Sequence, residues 1–365
     1  MTFNYQRYGS YEGSNIAVTE KTGKFDMETS RIIGDSLYPF SSFTFTAAGL
    51  TGNTGPSLAT LTSSYNTTTY PWLLNTTFFN MVTNGIQQWT VPSSGTYRFN
   101  MEGATGGIHG GSYNPAFPGA GATVQFDYAM TKGTVLNIVV GQKPSSITST
   151  AGSGSGGGGA SWVYTGAIGG SGLIGVAGGG GGTGHGSSST TGGNGSGGNG
   201  INDSNDRSAT ATYGVNSRTG ARSCGNKGIG QGGQSTETGG TVLTYRGAGG
   251  GAGWLSDGDD YTSYGRGGDR FVGGISEDNA QMYGGFGGGG GAGGTGNAGG
   301  GGGGYTGGGA GDGYTYVVGT SRSWGGGGGG GSFAHASATG VNMLAGSSGI
   351  SYANTGNGEI TITLL

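Results

Sequence analysis

The chain has 365 residues, 96 of them glycine, and only 9% are charged, with a formal net charge of −3. Charges this sparse, against roughly 25% in an ordinary soluble domain, exclude a solvent-extended polyelectrolyte. The arginines form no dense run, so nucleic acid is not an expected partner. Cys224 stands alone, which excludes an intramolecular disulfide and is compatible with synthesis in a reducing compartment. The start carries no basic segment followed by an apolar core, and no stretch of 18 apolar residues follows, so neither a secretory signal nor membrane insertion is expected.

Residues 1–40 read as an N-terminal arm or anchoring segment, and 41–84 as a small connecting or oligomerisation module. Within the latter, Phe43 and Phe45 alternate as in a short strand, and Gly49, Gly52, Gly55 and Pro56 supply turn chemistry. The spacing of Leu58, Leu61 and Tyr65 predicts one or two helical turns. Trp72, Leu73, Leu74, Phe78 and Phe79 complete the densest apolar stretch of the chain. Asn66, Asn75, Asn194 and Asn202 begin glycosylation triplets and are read as loop polar residues.

From Gly85 the pattern turns to β. A strand-like run at 86–91, a tight turn at Pro92-Ser-Ser-Gly95 and a period-two run at 96–102 place Tyr97, Phe99 and Met101 on one face. A second such pair, 122–128 and 134–140, is joined through Lys132 and Gly133. The last strand is C-terminal, with Ile360, Ile362 and Leu364 aligned. Strands at about 86–140 and 358–364 therefore bracket a glycine-rich middle at about 141–335, as an insertion into one β-sandwich within an 85–365 domain.

That middle alternates glycine runs at 156–159, 178–182, 287–291, 299–304 and 325–331 with anchors such as Trp162, Val176, Trp254, Trp324 and Phe333. A flexible linker has no use for repeated aromatic and β-branched anchors, so an ordered array is expected. Ordered glycine takes up the extended threefold helix, whose unpaired backbone groups bond sideways to neighbours. A strict Gly-X-Y period is missing, which argues against a collagen triple helix and for a bundle within one chain.

Trp89-Thr-Val-Pro-Ser-Ser-Gly-Thr-Tyr97, Lys132-Gly-Thr-Val-Leu-Asn-Ile-Val-Val-Gly141, Gly156-Gly-Gly-Gly-Ala-Ser-Trp162, Leu173-Ile-Gly-Val-Ala-Gly178 and the 325–333 run carry a resemblance. Over about residues 85–365 the chain resembles the glycine-rich domain of the anaplastic lymphoma kinase and leukocyte tyrosine kinase ectodomains. The resemblance implies a mainly β fold, a jelly-roll-like β-sandwich with an inserted bundle of polyglycine type II helices. The disulfides, transmembrane helix and kinase domain of those receptors have no counterpart here, so kinase signalling is not implied. The chain is also similar to glycine-rich phage adhesins, whose polyglycine helices carry exposed receptor-binding loops. Residues 43–89 further resemble a module recurring in virion-associated proteins.

Catalytic and metal chemistry find no anchor. His109, His185 and His335 lie in no metal-ligand spacing, Ser161 and Ser332 lack a nucleophile elbow, and no Gly-Lys-Ser or Gly-Lys-Thr follows a strand. A glycosidase would need a carboxylate pair, for which Asp257, Asp259, Asp260, Asp269, Glu277 and Asp278 are present without fixed geometry. The candidate receptor contacts are Trp254, Asp257, Asp259, Asp260, Tyr261, Tyr264, Arg266 and Arg270. This cluster reads in three ways: calcium ligands, polar contacts to a sugar held on aromatic faces, or a solvated turn. The polar stretch 202–222 is a second candidate contact loop.

The expectation is a non-catalytic virion fibre or surface protein without cofactors, attaching to a host-surface glycan or protein. It would be trimeric, joined to other virion proteins through its N-terminal region, with Trp72 and Phe79 at the shared interface. The alternative is a purely structural capsid decoration or surface matrix protein.

Overall fold

The computed structural model describes residues 36–108, 117–145, 154–185, 198, 228–235, 247–261, 265–274, 282–292, 298–311, 315–317, 321–347 and 356–365. Leu37–Leu365 forms one compact unit; the other unit, Met1–Ser36, falls almost wholly outside the described residues. No helix among the described residues is long and apolar enough to cross a membrane.

The fold is mainly β and built on two antiparallel sheets. Along the chain run β1 (Ser42–Phe45), α1 (Leu58–Ser64), β2 (Phe79–Asn80), β3 (Ile86–Thr90), β4 (Gly95–Glu102), β5 (Thr123–Met130) and β6 (Val135–Val139). There follow β7 (Ser161–Tyr164), β8 (Leu173–Ala177), β9 (Thr315–Val317), β10 (Ser321–Ser323), β11 (Phe333–Ala334), β12 (Thr339–Leu344) and β13 (Glu359–Leu364). The first sheet has the order β1-β13-β4-β5-β12 and the second β11-β8-β7-β6-β3-β2, with β9 and β10 a separate hairpin.

Alternation places the core. On β4 the buried residues are Tyr97, Phe99 and Met101, and on β13 Ile360 and Ile362, as period two predicts. They meet Trp89, Leu136, Ile138, Val163 and Ile174 of the second sheet in one apolar cluster. Neighbours in sequence are not neighbours in a sheet, however. The turn at residues 92–95 and the one through Lys132 and Gly133 were expected to close strand pairs, but β3 and β6 belong to one sheet and β4 and β5 to the other. Each connection crosses the core, and the crossings are tied together: Val91 N–H donates to the Thr134 carbonyl and Gly133 N–H to that of Val91. Crossing sets Trp89 edge-on against Tyr97, centroids 5.9 Å apart, so two apolar faces meet rather than lie side by side.

The 41–84 segment is part of the same core. β1 pairs with β13, and α1 begins at Ser57, whose Oγ accepts from Thr60 N–H at 3.2 Å. Leu61 of α1 is fully buried. Behind it the Tyr65 hydroxyl donates to Gln87 Oε1 at 2.8 Å, and burial pushes this phenol up to about 12. Trp72 and Phe79, expected at a shared subunit interface, are 4% and 1% exposed inside the chain's own core. They pack against Phe43, Tyr65 and Tyr70, and so are spent within one chain.

Sheet membership also reaches into the glycine-rich middle, which supplies β7, β8 and β11. β7 and β8 are buried on both faces. One face meets the core; on the other, Trp162, Tyr164, Leu173 and Val176 pack with Trp254, Phe271 and Phe286 from the glycine-rich segments.

Those segments bond sideways with a period of three. Gly299, Gly302 and Tyr305 donate to the carbonyls of Gly325, Gly328 and Gly331; Gly300 and Gly303 to Ser155 and Gly158; Gly301 and Gly304 to Gly249 and Ala252. The carbonyls between them accept from three more segments, Gly299 and Gly302 from Gly311 and Gly308, Gly300 and Gly303 from Gly182 and Gly179, and Gly301 from Gly290. One run therefore has six hydrogen-bonded neighbours, and buried peptide groups are paired without a sheet. Approach this close leaves no room for side chains. A Cβ on Gly301 would lie 1.9 Å from the Gly308 carbonyl oxygen, and one on Gly302 2.3 Å from that of Gly179.

Candidate functional site

The structure divides the predicted contact residues among different roles. Trp254 is 3% exposed; its ring stacks on Trp162 at 5.9 Å and its Nε1–H donates to the Gly170 carbonyl at 3.0 Å. Tyr261 is 7% exposed, its ring filling the space where Gly247 would carry a Cβ. Both anchor the 254–271 segment rather than presenting whole ring faces. Tyr264 lies outside the described residues, as do His109, Cys224, Glu277, Asp278 and the whole 202–222 stretch.

The acidic residues tie the segment to itself. Asp257 Oδ1 accepts from Arg270 N–H at 2.8 Å and from Arg270 Nε–H at 3.1 Å, and Asp260 Oδ1 accepts from Gly267 N–H at 2.8 Å. Asp259 joins through its backbone, donating to the Gly233 carbonyl and accepting from Gly250 N–H. Desolvation, reinforced by Asp257 and Asp260, raises the pKa of neighbouring Asp269. Among the described residues no three His, Cys, Asp or Glu gather as metal ligands, so the calcium reading gains no support from this geometry. Arg266 is exposed, Arg270 and Asp257 partly so, and these keep the outer face of the segment polar.

A concavity lies beside Trp254. About 420 Å³ in volume, it is walled by Leu173, Trp254, Leu255, Tyr305 and Phe333, with Gly169, Gly170 and Ser171 along one edge. A second concavity of about 290 Å³ shares Ser171, Leu173 and His335 with the first and continues to Thr131, Thr134 and Thr165. Five separate segments build this groove: the β5–β6 connection, the β7–β8 turn, the start of 254–271, the glycine run at Tyr305, and β11 with the residues after it. Their positions are fixed by backbone bonds. β11 pairs with β8 through Phe333 and Val176, His335 N–H donates to the Ile174 carbonyl, and Tyr305 N–H to that of Gly331.

Side chains along the groove grade from apolar to polar. Tyr305 and Phe333 stack at 4.7 Å with a 34° tilt, each partly exposed, and Leu255 is 47% exposed. His335 stands edge-on to Tyr128 at 5.4 Å. Its Nδ1 accepts from Ser337 N–H at 3.1 Å, and because a backbone N–H only donates, the neutral ring carries its proton on Nε2. Trp254 and Phe333 are legible in the sequence as anchors beside glycine runs, and His335 only as a histidine in no metal-ligand spacing. Their gathering with Tyr305 and Ser171 is not legible there; the one signal for it is the recurrence of aromatics at interruptions of the glycine runs.

No protein-family model matches the chain, and no curated protein matches it.

Proposed function

We propose that the chain is a non-catalytic virion surface or fibre protein that attaches to a host-cell surface receptor or glycan. The reading extends to the finer fold: the two sheets form a jelly-roll-like β-sandwich, and the glycine-rich segments form a bundle of polyglycine type II helices. Kinship with the glycine-rich receptor ectodomain and with glycine-rich phage adhesins belongs to the same proposal. Its main support is the three-residue hydrogen-bond period joining one glycine run to six others. A lattice held by backbone tolerates little change in its own residues but more in the exposed parts of the segments that interrupt it, which is where binding specificity then resides. The interruptions carrying Trp254, Tyr305 and Phe333 meet in one groove. Assembly is proposed as a cyclic trimer through the N-terminal region, joined there to other virion proteins.

Labelled full-length protein added to intact host cells tests attachment. Saturable binding, competed by unlabelled protein and by receptor-bearing envelope extract, is the expected result; binding that neither competes overturns it. Immunogold labelling of particles should mark the tip of a fibre, whereas a regular shell distribution would favour decoration. Light scattering at three times the chain mass is expected, and a monomer mass overturns the trimer.

A further inference from the structure

We infer that the groove lined by Tyr305, Phe333 and His335 binds an uncharged saccharide, with one sugar ring against the Tyr305–Phe333 pair and its hydroxyls toward the His335 and threonine end. The inference rests on the attachment reading and names the class of ligand for it.

A pyranose has an apolar C–H face and a rim of hydroxyl groups, and it needs a surface offering both. The wider concavity supplies aromatic and aliphatic walls, including the partly exposed Tyr305 and Phe333, in a volume within the usual range for small-ligand sites. The narrower one is lined by the hydroxyl-bearing Thr131, Thr134, Thr165 and Ser171, of which Thr165 also donates to the Gly172 carbonyl. His335 lines both and offers an Nε2–H donor. Three residues are common to the two concavities, so a ligand on the aromatic faces reaches the hydroxyls without leaving the groove.

Charge narrows the class. Among the described residues, no Asp, Glu, Lys or Arg lines either concavity. An acidic or sulfated sugar would meet only the Arg270 guanidinium at the Gly169 edge, already paired with Asp257, and a purely aliphatic ligand would leave the threonine end unpaired. A neutral sugar meets both halves. The walls are also held before any ligand arrives, by the Trp254 bond to Gly170 and the β8–β11 pairing, which lowers the ordering cost of binding.

The test applies the full-length protein to an array of neutral hexose and N-acetylhexosamine oligosaccharides with sialylated and sulfated ones alongside, then titrates the best ligand by calorimetry. Expected is binding confined to neutral oligosaccharides, weakened about tenfold by Phe333→Leu and by His335→Ala, the size of one aromatic or hydrogen-bonding contact. Asn342→Ala, exposed on β12 and outside the groove, should bind as the parent does. Phe333→Leu keeps apolar bulk while removing the ring face, and a melting curve matching the parent's excludes misfolding as the cause. Binding only to acidic sugars, no binding to any sugar, or neutral-sugar binding unchanged in both groove variants each overturns the assignment. Cell attachment that persists while no neutral sugar competes overturns the groove alone and leaves the attachment reading standing. Neutral-sugar binding lost in the groove variants, by a chain that attaches to no cell, supports the groove and overturns attachment.

Discussion

Glycine plays two different parts here, and a single alanine distinguishes them. Gly133 has positive φ, 80°, in the crossing between β5 and β6, yet open space surrounds the position of its absent Cβ. Gly301 has negative φ but a carbonyl oxygen 1.9 Å from that position. Gly133→Ala should cost about 1 kcal/mol, the strain of a left-handed alanine. Gly301→Ala forces two hydrogen-bonded strands of the lattice apart, and should cost about 3 kcal/mol or more. Thermal melts of both variants check the order; equal losses would show that the lattice yields. A second residue-scale expectation concerns charge. Glu102 and Glu359 face each other across β4 and β13, and the Glu102 pKa is raised by desolvation first and by Glu359 second. With the folded pKa above the unfolded one, full stability is present below the ordinary glutamate value and is lost as pH rises through the folded pKa. Glu359→Gln should therefore stabilise by about 0.5 kcal/mol at pH 7, a gain that fades at pH 3. Denaturant midpoints at the two pH values decide it.

At the scale of elements, the faces of strands were readable and their partners were not. Period two correctly set Tyr97, Phe99 and Met101 on the buried side, because alternation reports which side meets apolar neighbours. It says nothing about whether a short turn closes a hairpin or crosses to the facing sheet. Here residues 92–95 cross, and Tyr97 helps to hold the crossing by donating its hydroxyl to the Ser93 carbonyl at 2.8 Å. Tyr97→Phe deletes that bond and leaves the ring, and should destabilise by about 1 kcal/mol without altering secondary structure. Chemical denaturation beside far-ultraviolet circular dichroism measures both; no loss would mean the turn is held by backbone alone. The helix at Leu58–Ser64 was visible from the spacing of Leu58, Leu61 and Tyr65, since a capped amphipathic turn is a local property.

For the whole molecule, the glycine-rich segments and the sheets are not separable parts. Trp162 and Tyr164 of β7 pack under Trp254 and Phe271, and β7 is buried on both faces. Amide exchange should reveal that union. The N–H groups of Gly300 to Gly303, each bonded to a distant segment, should exchange only when the sheets unfold. Hydrogen-exchange mass spectrometry of peptides covering 299–304 tests it, and exchange within seconds would return the run to the status of a linker. The candidate site belongs to this scale as well. Trp254 and Phe333 were visible as anchors, but Tyr305, Ser171 and His335 join them only after segments more than 100 residues apart are brought together.

By itself the sequence determined the class of structure: mainly β, apolar faces set by alternation, and glycine runs too regularly anchored to be linker. Those are local properties, written in the order of residue types. Tertiary structure alone decided that short turns cross between sheets, that Trp72 and Phe79 are spent inside one chain, and that the acidic residues at 257–260 tie a loop while an uncharged groove forms beside it. The reason is physical. A glycine run has no side chain to announce its neighbour, so which segments bond, and what gathers where they stop, is settled only when backbone meets backbone.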